Sequence, residues 1–204
     1  MTSAIKLLVG LGNPGTEYAG TRHNAGAEFV QFLAGRSASL LKPNGKFFGD
    51  LAEIEVRGHR LRVLIPSTFM NRSGQAVAAV AGFYKIDPRE ILIAHDELDL
   101  PPGKARFKFD GGHGGHNGLR DIIPALGNRR DFHRLRIGIG HPGSAREVSH
   151  YVLSRARADD SAAIDSCIHA AATALPILLG GDSAKAMTML HSFDGTPGKR
   201  PERG

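Results

Sequence analysis

Ile5-Lys6-Leu7-Leu8-Val9-Gly10-Leu11-Gly12-Asn13-Pro14-Gly15 opens on an apolar run broken by one lysine and closes on turn formers. A short run of this kind, bounded by Gly and Pro, reads as a buried strand. Helical spacing follows at residues 25–35, where Phe29, Val30, Phe32 and Leu33 form one stripe. Residues 47–56 and 61–65 are strand candidates joined through Arg57-Gly58-His59-Arg60, a hairpin signal. Residues 73–84 carry Val77, Val80, Ala81 and Tyr84 at helical spacing. Residues 91–94 form a short apolar strand that runs straight into His95-Asp96-Glu97. After the turn at Pro101-Pro102-Gly103, residues 104–109 alternate: Lys104, Arg106 and Lys108 face one way, Ala105, Phe107 and Phe109 the other. Residues 119–126 read as a short helix. Leu135, Ile137 and Ile139 alternate with Arg134 and Arg136 as another strand, and helices follow at 160–179 and 183–191.

Strands and helices intermix along the chain, with no repeat and no dividing linker. The predicted fold is α/β: a single domain with a mixed, twisted central sheet and helices on both faces. The hairpin near residue 58 rules out a purely parallel sheet. The domain is expected over residues 1–193. Residues 194–204, with Gly, Pro and charge but no apolar period, are expected to be a disordered basic tail.

At 204 residues and 41% apolar content the chain can bury a full core. The one cysteine, Cys167, has no internal disulfide partner, which fits a reducing cytoplasm. No run of about 18 apolar residues is evident, so no membrane span is expected, and the N-terminus shows no secretory leader. Tryptophan is absent and aromatics are few, which argues against a base-stacking RNA-recognition sheet. The formal net charge of +6 favours an anionic partner. Only a minor part of that excess lies in the last ten residues, where Lys199, Arg200 and Arg203 stand against Glu202.

Chemistry concentrates in Asp110-Gly111-Gly112-His113-Gly114-Gly115-His116-Asn117-Gly118. Five glycines cost backbone entropy, and the bare loop lets a ligand approach the main chain. It reads as one wall of an active site; the plainer alternative is a flexible turn. Gly10-Leu11-Gly12-Asn13-Pro14-Gly15 matches a dinucleotide fingerprint, but Pro14 interrupts it and the next helix starts about ten residues late for that motif. Thr21-Arg22-His23-Asn24 precedes the first helix. There the helix dipole would disfavour an imidazolium and keep His23 neutral, as a base must be. The competing reading is a plain loop histidine with Asn24 as helix cap. Asp96 ends a buried strand, where it can fix the tautomer of a histidine, with Glu97 and Asp99 as competitors. Asn71 also serves as a candidate helix cap. Yet Asn13, Asn71 and Asn117 each lie between a strand and the next helix. Three converging carboxamides, each able to donate and accept, would suit an acyl group and its developing oxyanion.

A G-x-S-x-G elbow, an activated Cys167 and a P-loop are all absent. A metal site remains an alternative, since His113 and His116 with Asp96 or His95 could supply three ligands. Lys104, Arg106 and Lys108, together with Arg134, Arg136, Arg129 and Arg130, suggest a polyanion with many phosphates; a solvated edge strand is the alternative.

These segments together resemble bacterial peptidyl-tRNA hydrolases. The resemblance rests on residues 9–15, Tyr18, residues 21–26, Thr68-Phe69-Met70-Asn71, residues 95–103, 112–119 and 132–143, in register over residues 5–192. Arg72 departs from the apolar residue associated with that position. The resemblance implies hydrolysis of the ester joining a peptide's C-terminus to the tRNA 3′ ribose. His23 would be the general base acting on water and Asp96 its holder. Asn13, Asn71 and Asn117 would orient substrate or water, with Asn13 helping to select N-blocked substrates. Tyr18 and Phe69 would contact substrate, and Lys108 and Arg136 would clamp phosphates of the tRNA acceptor end. A monomer without metal or other cofactor is implied. Rival readings are a metallohydrolase built on His113 and His116, and a non-catalytic tRNA-binding module.

Overall fold

The computed structural model describes residues 4–196. Its centre is β1 (Leu7–Gly10), whose Leu7, Leu8 and Val9 are wholly buried. β1 pairs in parallel with β4 (His59–Pro66) on one side and β5 (Ile91–Glu97) on the other. The full sheet also contains β2 (Lys42–Asn44), β3 (Gly49–Val56), β6 (Ala105–Phe109) and β7 (His133–Gly138), in the order β2-β3-β4-β1-β5-β7-β6. β7 continues the parallel set, while β2, β3 and β6 pair antiparallel, so the sheet is mixed as expected.

Alternation along the strands divides the core into two layers. Leu8, Leu92 and Leu135 face α1 (Ala25–Arg36) and α5 (Ala158–Leu179). Leu7, Val9 and Ile93 face α2 (Ser73–Tyr84) and α3 (Asn117–Ala125). α4 (Val148–Val152) and α6 (Ser183–Ser192) complete the helices.

Close contact between α1 and the strand ends sets the geometry that matters for function. A Cβ on Gly26 would lie 2.1 Å from the Ala94 carbonyl oxygen, and one on Gly10 would lie 2.4 Å from that of Gly26. Gly10 and Gly12 therefore serve close packing against α1 and the turn before it, Gly15 makes a turn at positive φ, and α1 begins only at Ala25. The residues just before α1 are held over the carboxyl end of β5.

Several boundaries differ from expectation. β5 runs on through His95 and Asp96, which places both side chains on a rigid element. The β3–β4 turn is only Arg57-Gly58, both with positive φ, the tight geometry that matches strand twist. β2 carries no apolar alternation and was not anticipated; its pairing with β3 alone defines it. Lys104 does not belong to the basic ladder. It precedes β6, and its Nζ donates to the Phe193 carbonyl at 3.2 Å and pairs with Asp194 at 3.3 Å.

Of the stretch expected to be a disordered tail, Asp194 to Thr196 are described. Gly195 N–H donates to the Gly103 carbonyl at 3.0 Å, so this part docks beside the turn before β6. Residues 197–204 lie outside the described residues. By length and mean hydropathy α5 would be long and apolar enough to cross a membrane, although Asp160, Asp165 and His169 interrupt it and it holds no unbroken apolar run of spanning length. Its Ile164, Cys167, Ile168, Ala171 and Leu175 pack in the core, which accounts for the composition.

Candidate active site

The parallel strands all end at one edge of the sheet, where α/β folds place ligands. A cleft of about 890 Å³ opens there. Asn13 follows β1, the turn with Phe69, Met70 and Asn71 follows β4, and Asp96 sits near the end of β5. All line the cleft, together with His23, Asn117 and the glycine loop.

His23 lies in a one-turn 3₁₀ segment, Arg22–Asn24, leading into α1. Its Nδ1 is 2.8 Å from Asp96 Oδ1, across 73 positions of sequence, and both side chains are buried. Burial alone would lower the imidazole pKa, but the Asp96 charge and hydrogen bond outweigh it, and the value is raised above the usual 6.5. The carboxylate thus overrides the dipole effect read from the sequence. Asp96 is the converse case. Burial would raise its pKa, but His23 and His116 hold it well below the usual carboxylate range.

His116 is the second imidazole on the same oxygen, with Nε2 2.9 Å from Asp96 Oδ1. Its Nδ1 accepts from the N–H groups of Gly118 and Leu119 at 3.1 and 3.4 Å, capping α3. That cap fixes the tautomer. Nδ1 is bare, so Nε2 bears the proton and donates it to Asp96. Asp96 Oδ1 accepts from both rings, which turns His23 Nδ1–H toward the carboxylate and leaves Nε2 for the cleft. His95, also buried, donates Nδ1–H to the Asp96 backbone carbonyl at 2.7 Å. Burial, then the nearby His116, pushes its pKa down to about 3, so it stays neutral.

The carboxamides are less alike than their spacing implied. Asn13 Oδ1 accepts from the Met70 N–H at 2.7 Å, so its amide group faces the cleft as a donor only. Asn24 does not cap α1. Its Oδ1 accepts from Asn13 N–H at 2.8 Å and its Nδ2 donates to the Asn13 carbonyl at 3.0 Å, clamping the Asn13 loop. Asn117 Oδ1 accepts from Arg120 at 3.0 Å, again leaving donors. Asn71 is exposed in a 3₁₀ turn and does not cap α2, whose cap position is Arg72. The Tyr18 and Phe69 rings meet edge to face, 6.2 Å apart, and Phe69 is 54% exposed.

The cationic side is also more differentiated. Lys108 is exposed and lines the cleft. Arg136 lines it too, but its Nε pairs with Glu97 at 2.8 Å. Arg134 is buried and donates to the carbonyls of Gly111 and Gly112. It anchors the glycine loop and is not a free cation, while Arg129 is held by Asp87 and Asp131. The expected array of cations therefore reduces at the cleft to Lys108 and the paired Arg136.

The metal trio kept as an alternative from the sequence, His113 and His116 with Asp96 or His95, is not the one that assembles. His113 Nδ1 accepts from Gly115 N–H on the outer loop. The donors that do cluster are His23, Asp96 and His116, within 4.8 Å of one another. Their 2.8 and 2.9 Å spacings are those of N–H···O bonds. A tetrahedral ion with ligands at about 2.0–2.2 Å would have to pry them apart and uncap α3.

A family model described as peptidyl-tRNA hydrolase matches residues 7–198. The chain belongs to the peptidyl-tRNA hydrolase family. Peptidyl-tRNA hydrolases from Saccharophagus degradans and Pseudomonas putida are each 58% identical over 190 residues, spanning 93% of this chain and 96% and 98% of theirs. The crystal structure of peptidyl-tRNA hydrolase from Acinetobacter baumannii matches with a TM-score of 0.92 at 49% identity, covering 96% of this chain and 99% of that one. The match runs past residue 192, where the motif resemblance stopped. The chain is thus a hydrolase whose family activity is hydrolysis of peptidyl-tRNA.

In this peptidyl-tRNA hydrolase, sequence reasoning had His23 and Asp96 as a pair but missed the roles of His116, Asn24, His95 and Arg134. His116 had a signal, two residues ahead of Gly118 at a helix start. Imidazole is not among the common capping side chains, so the signal pointed to a metal instead.

Proposed function

We propose that His23 is the general base of peptidyl-tRNA hydrolysis and that water attacks the ester directly. The observation that carries this is the 2.8 Å bond from His23 Nδ1 to the buried Asp96 carboxylate, which turns the bare Nε2 to the cleft. Nε2 takes a proton from water as its oxygen bonds to the acyl carbon. The carbonyl electrons move to the oxygen, where the amide donors of Asn13 and Asn117 receive the charge. When the intermediate collapses, the bond to the ribose oxygen breaks and His23 returns its proton to that oxygen. The products are free tRNA and a peptide carboxylic acid, which ionises.

A positioned base supplies about 10² to 10⁴ in rate and one oxyanion donor about 10² to 10³. An ester is a far easier substrate than an amide, so these groups suffice without a covalent intermediate. The test is rapid-quench release of tRNA with enzyme near substrate concentration. Direct attack forms tRNA and free peptide in step; a burst of tRNA equal to the enzyme concentration with no matching burst of free peptide would reveal an acyl-enzyme and end this reading. Asn13 has only donors to offer, which suits a blocked amino terminus or a carbonyl, and Asn71, Tyr18 and Phe69 extend the substrate contact. The working form in this reading is a cytoplasmic monomer: the family resemblance implies the monomer, and the single cysteine, Cys167, fits a reducing compartment.

The phosphates of the acceptor end belong, in this proposal, to Lys108 and Arg136. Lys108→Ala should raise KM several-fold with little loss of kcat, and the effect should fade as salt rises from 50 to about 300 mM. Arg136→Ala should show the same trend plus a salt-independent part, because Glu97 loses its partner. A loss in kcat alone, or one indifferent to salt for Lys108, would remove the phosphate role.

A further inference from the structure

One wall of the cleft is built by α4 and the residues beside it, through Ala145, Val148, Ser149, Val152 and Leu153. A helix of five residues has too few internal hydrogen bonds to stand alone. It is held in large part from outside, by Arg22. The Nη1 of this arginine faces Ser154 Oγ at 2.8 Å and the carbonyl oxygens of Arg155, Ser154 and Tyr151 at 3.0, 3.3 and 3.4 Å. Its guanidinium lies 4.0 Å above the Tyr151 ring. The Arg22 N–H also donates to the Ser154 carbonyl, and Thr21 bridges to Arg155. Arg22 is itself only 7% exposed. A buried guanidinium needs such acceptors; here Nη1 finds them at Tyr151 and in the two residues, Ser154 and Arg155, that carry the chain away from α4, while Nε is buried without a hydrogen-bond partner among the described residues.

Arg22 shares its single turn with His23. The turn that carries the base therefore also carries the clamp on the neighbouring wall. That wall is aliphatic, and Val148, Val152 and Leu98 belong to one packed cluster. Asp99 lines the cleft on the same side, and among the described residues none of the lining side chains from residues 145–153 is cationic. Such a surface repels phosphate and suits an acyl side chain.

We propose that Arg22 is a positioning residue that sets α4 at the distance where the side chain of the esterified amino acid packs, so that it governs selectivity among peptidyl groups. The proposal rests on the reading that the ester is cut beside His23 Nε2.

The experiment compares kcat/KM for N-acetylphenylalanyl-tRNA and N-acetylglycyl-tRNA in the wild type, Arg22→Met and Arg22→Lys. Loss of an apolar contact is worth about tenfold or more in discrimination. Arg22→Met should lower the phenylalanyl-to-glycyl ratio about tenfold, mainly through KM, and raise amide exchange in residues 148–155. Arg22→Lys returns a charge to the same carbonyls and should recover most of the ratio. If Arg22→Met does not fold, Tyr151→Leu removes the ring from beneath the guanidinium, and the same ratio decides. An unchanged ratio, or an equal kcat loss on both substrates, overturns the proposal. Failure of the His23 reading shows differently, as full turnover of both substrates by His23→Ala.

Discussion

His23→Ala should lower kcat by about 10² to 10⁴ while tRNA binding stays within about twofold of wild type. The expectation comes from where the ring is bonded. Nδ1 is bonded to Asp96, behind the ring, and the other nitrogen faces the cleft. Removing the ring deletes the proton acceptor. It leaves the Asn13 donor, still held by Met70, and the Lys108 side chain in place. The residual rate should come from oriented amide donors and proximity alone. Single-turnover quench of N-acetylaminoacyl-tRNA hydrolysis gives the chemical step, and a filter-binding titration with deacylated tRNA gives the affinity. A kcat within threefold of wild type would show that another group takes the proton. A selective loss of binding would make His23 a substrate contact.

Each member of that pair was legible as a candidate because it sits where only a few outcomes are open, while their pairing came from the family resemblance, with Glu97 and Asp99 still competing for the place of Asp96. Asp96 follows an apolar run too short to be anything but a buried strand. His23 precedes the first helical stripe. With both ends at one sheet edge, their meeting needed only that the two elements touch, and Gly10 and Gly26 let them touch closely. The layered sheet was legible for a similar reason: alternation in β1 and β5 has to be satisfied on both faces at once.

What stayed hidden depends on partners far along the chain. Alternation told which way Arg134 and Arg136 point. It did not tell that the glycine loop and Glu97 would cover them. Lys104 has the right spacing for a ladder but lies outside the strand, next to Asp194. His116 combines a helix cap with a second bond to Asp96, and neither follows from spacing within its own loop. Propensity describes one residue and its near neighbours. These contacts are set by packing across the sheet.

Asp96→Asn gives the second large effect. Two rings donate to one carboxylate oxygen in the native enzyme. A carboxamide carries no charge, and if it flips it turns an NH2 donor toward both rings, so the groups that hold the His23 tautomer lose either their charge or their acceptor. His116 is pinned by its cap on Gly118 and Leu119, so His23 is the ring free to turn. Once it flips or presents Nε2–H to the cleft it has no lone pair for water. By analogy with other Asp–His couples, kcat should fall by about 10³ to 10⁴. The pH profile carries the sign. Asp96 raises the His23 pKa above its usual 6.5, so wild-type activity falls away on acidification from above that value. In the variant only burial acts on the ring, so the residual activity should persist to lower pH.

Stability follows the same linkage. The raised His23 pKa means that the charged pair stabilises the fold fully below about pH 6.5 and that this contribution is lost as pH rises through the raised value. The depressed Asp96 pKa adds stability that is present above the usual carboxylate range and lost as pH falls toward its lowered value. The Tm gap between wild type and Asp96→Asn should therefore be widest near pH 5.5 and narrower at pH 8.5. A gap that grows with pH, or an acid limb that stays where it was, would mean that the bond between Asp96 and His23 is not the one that tunes the base.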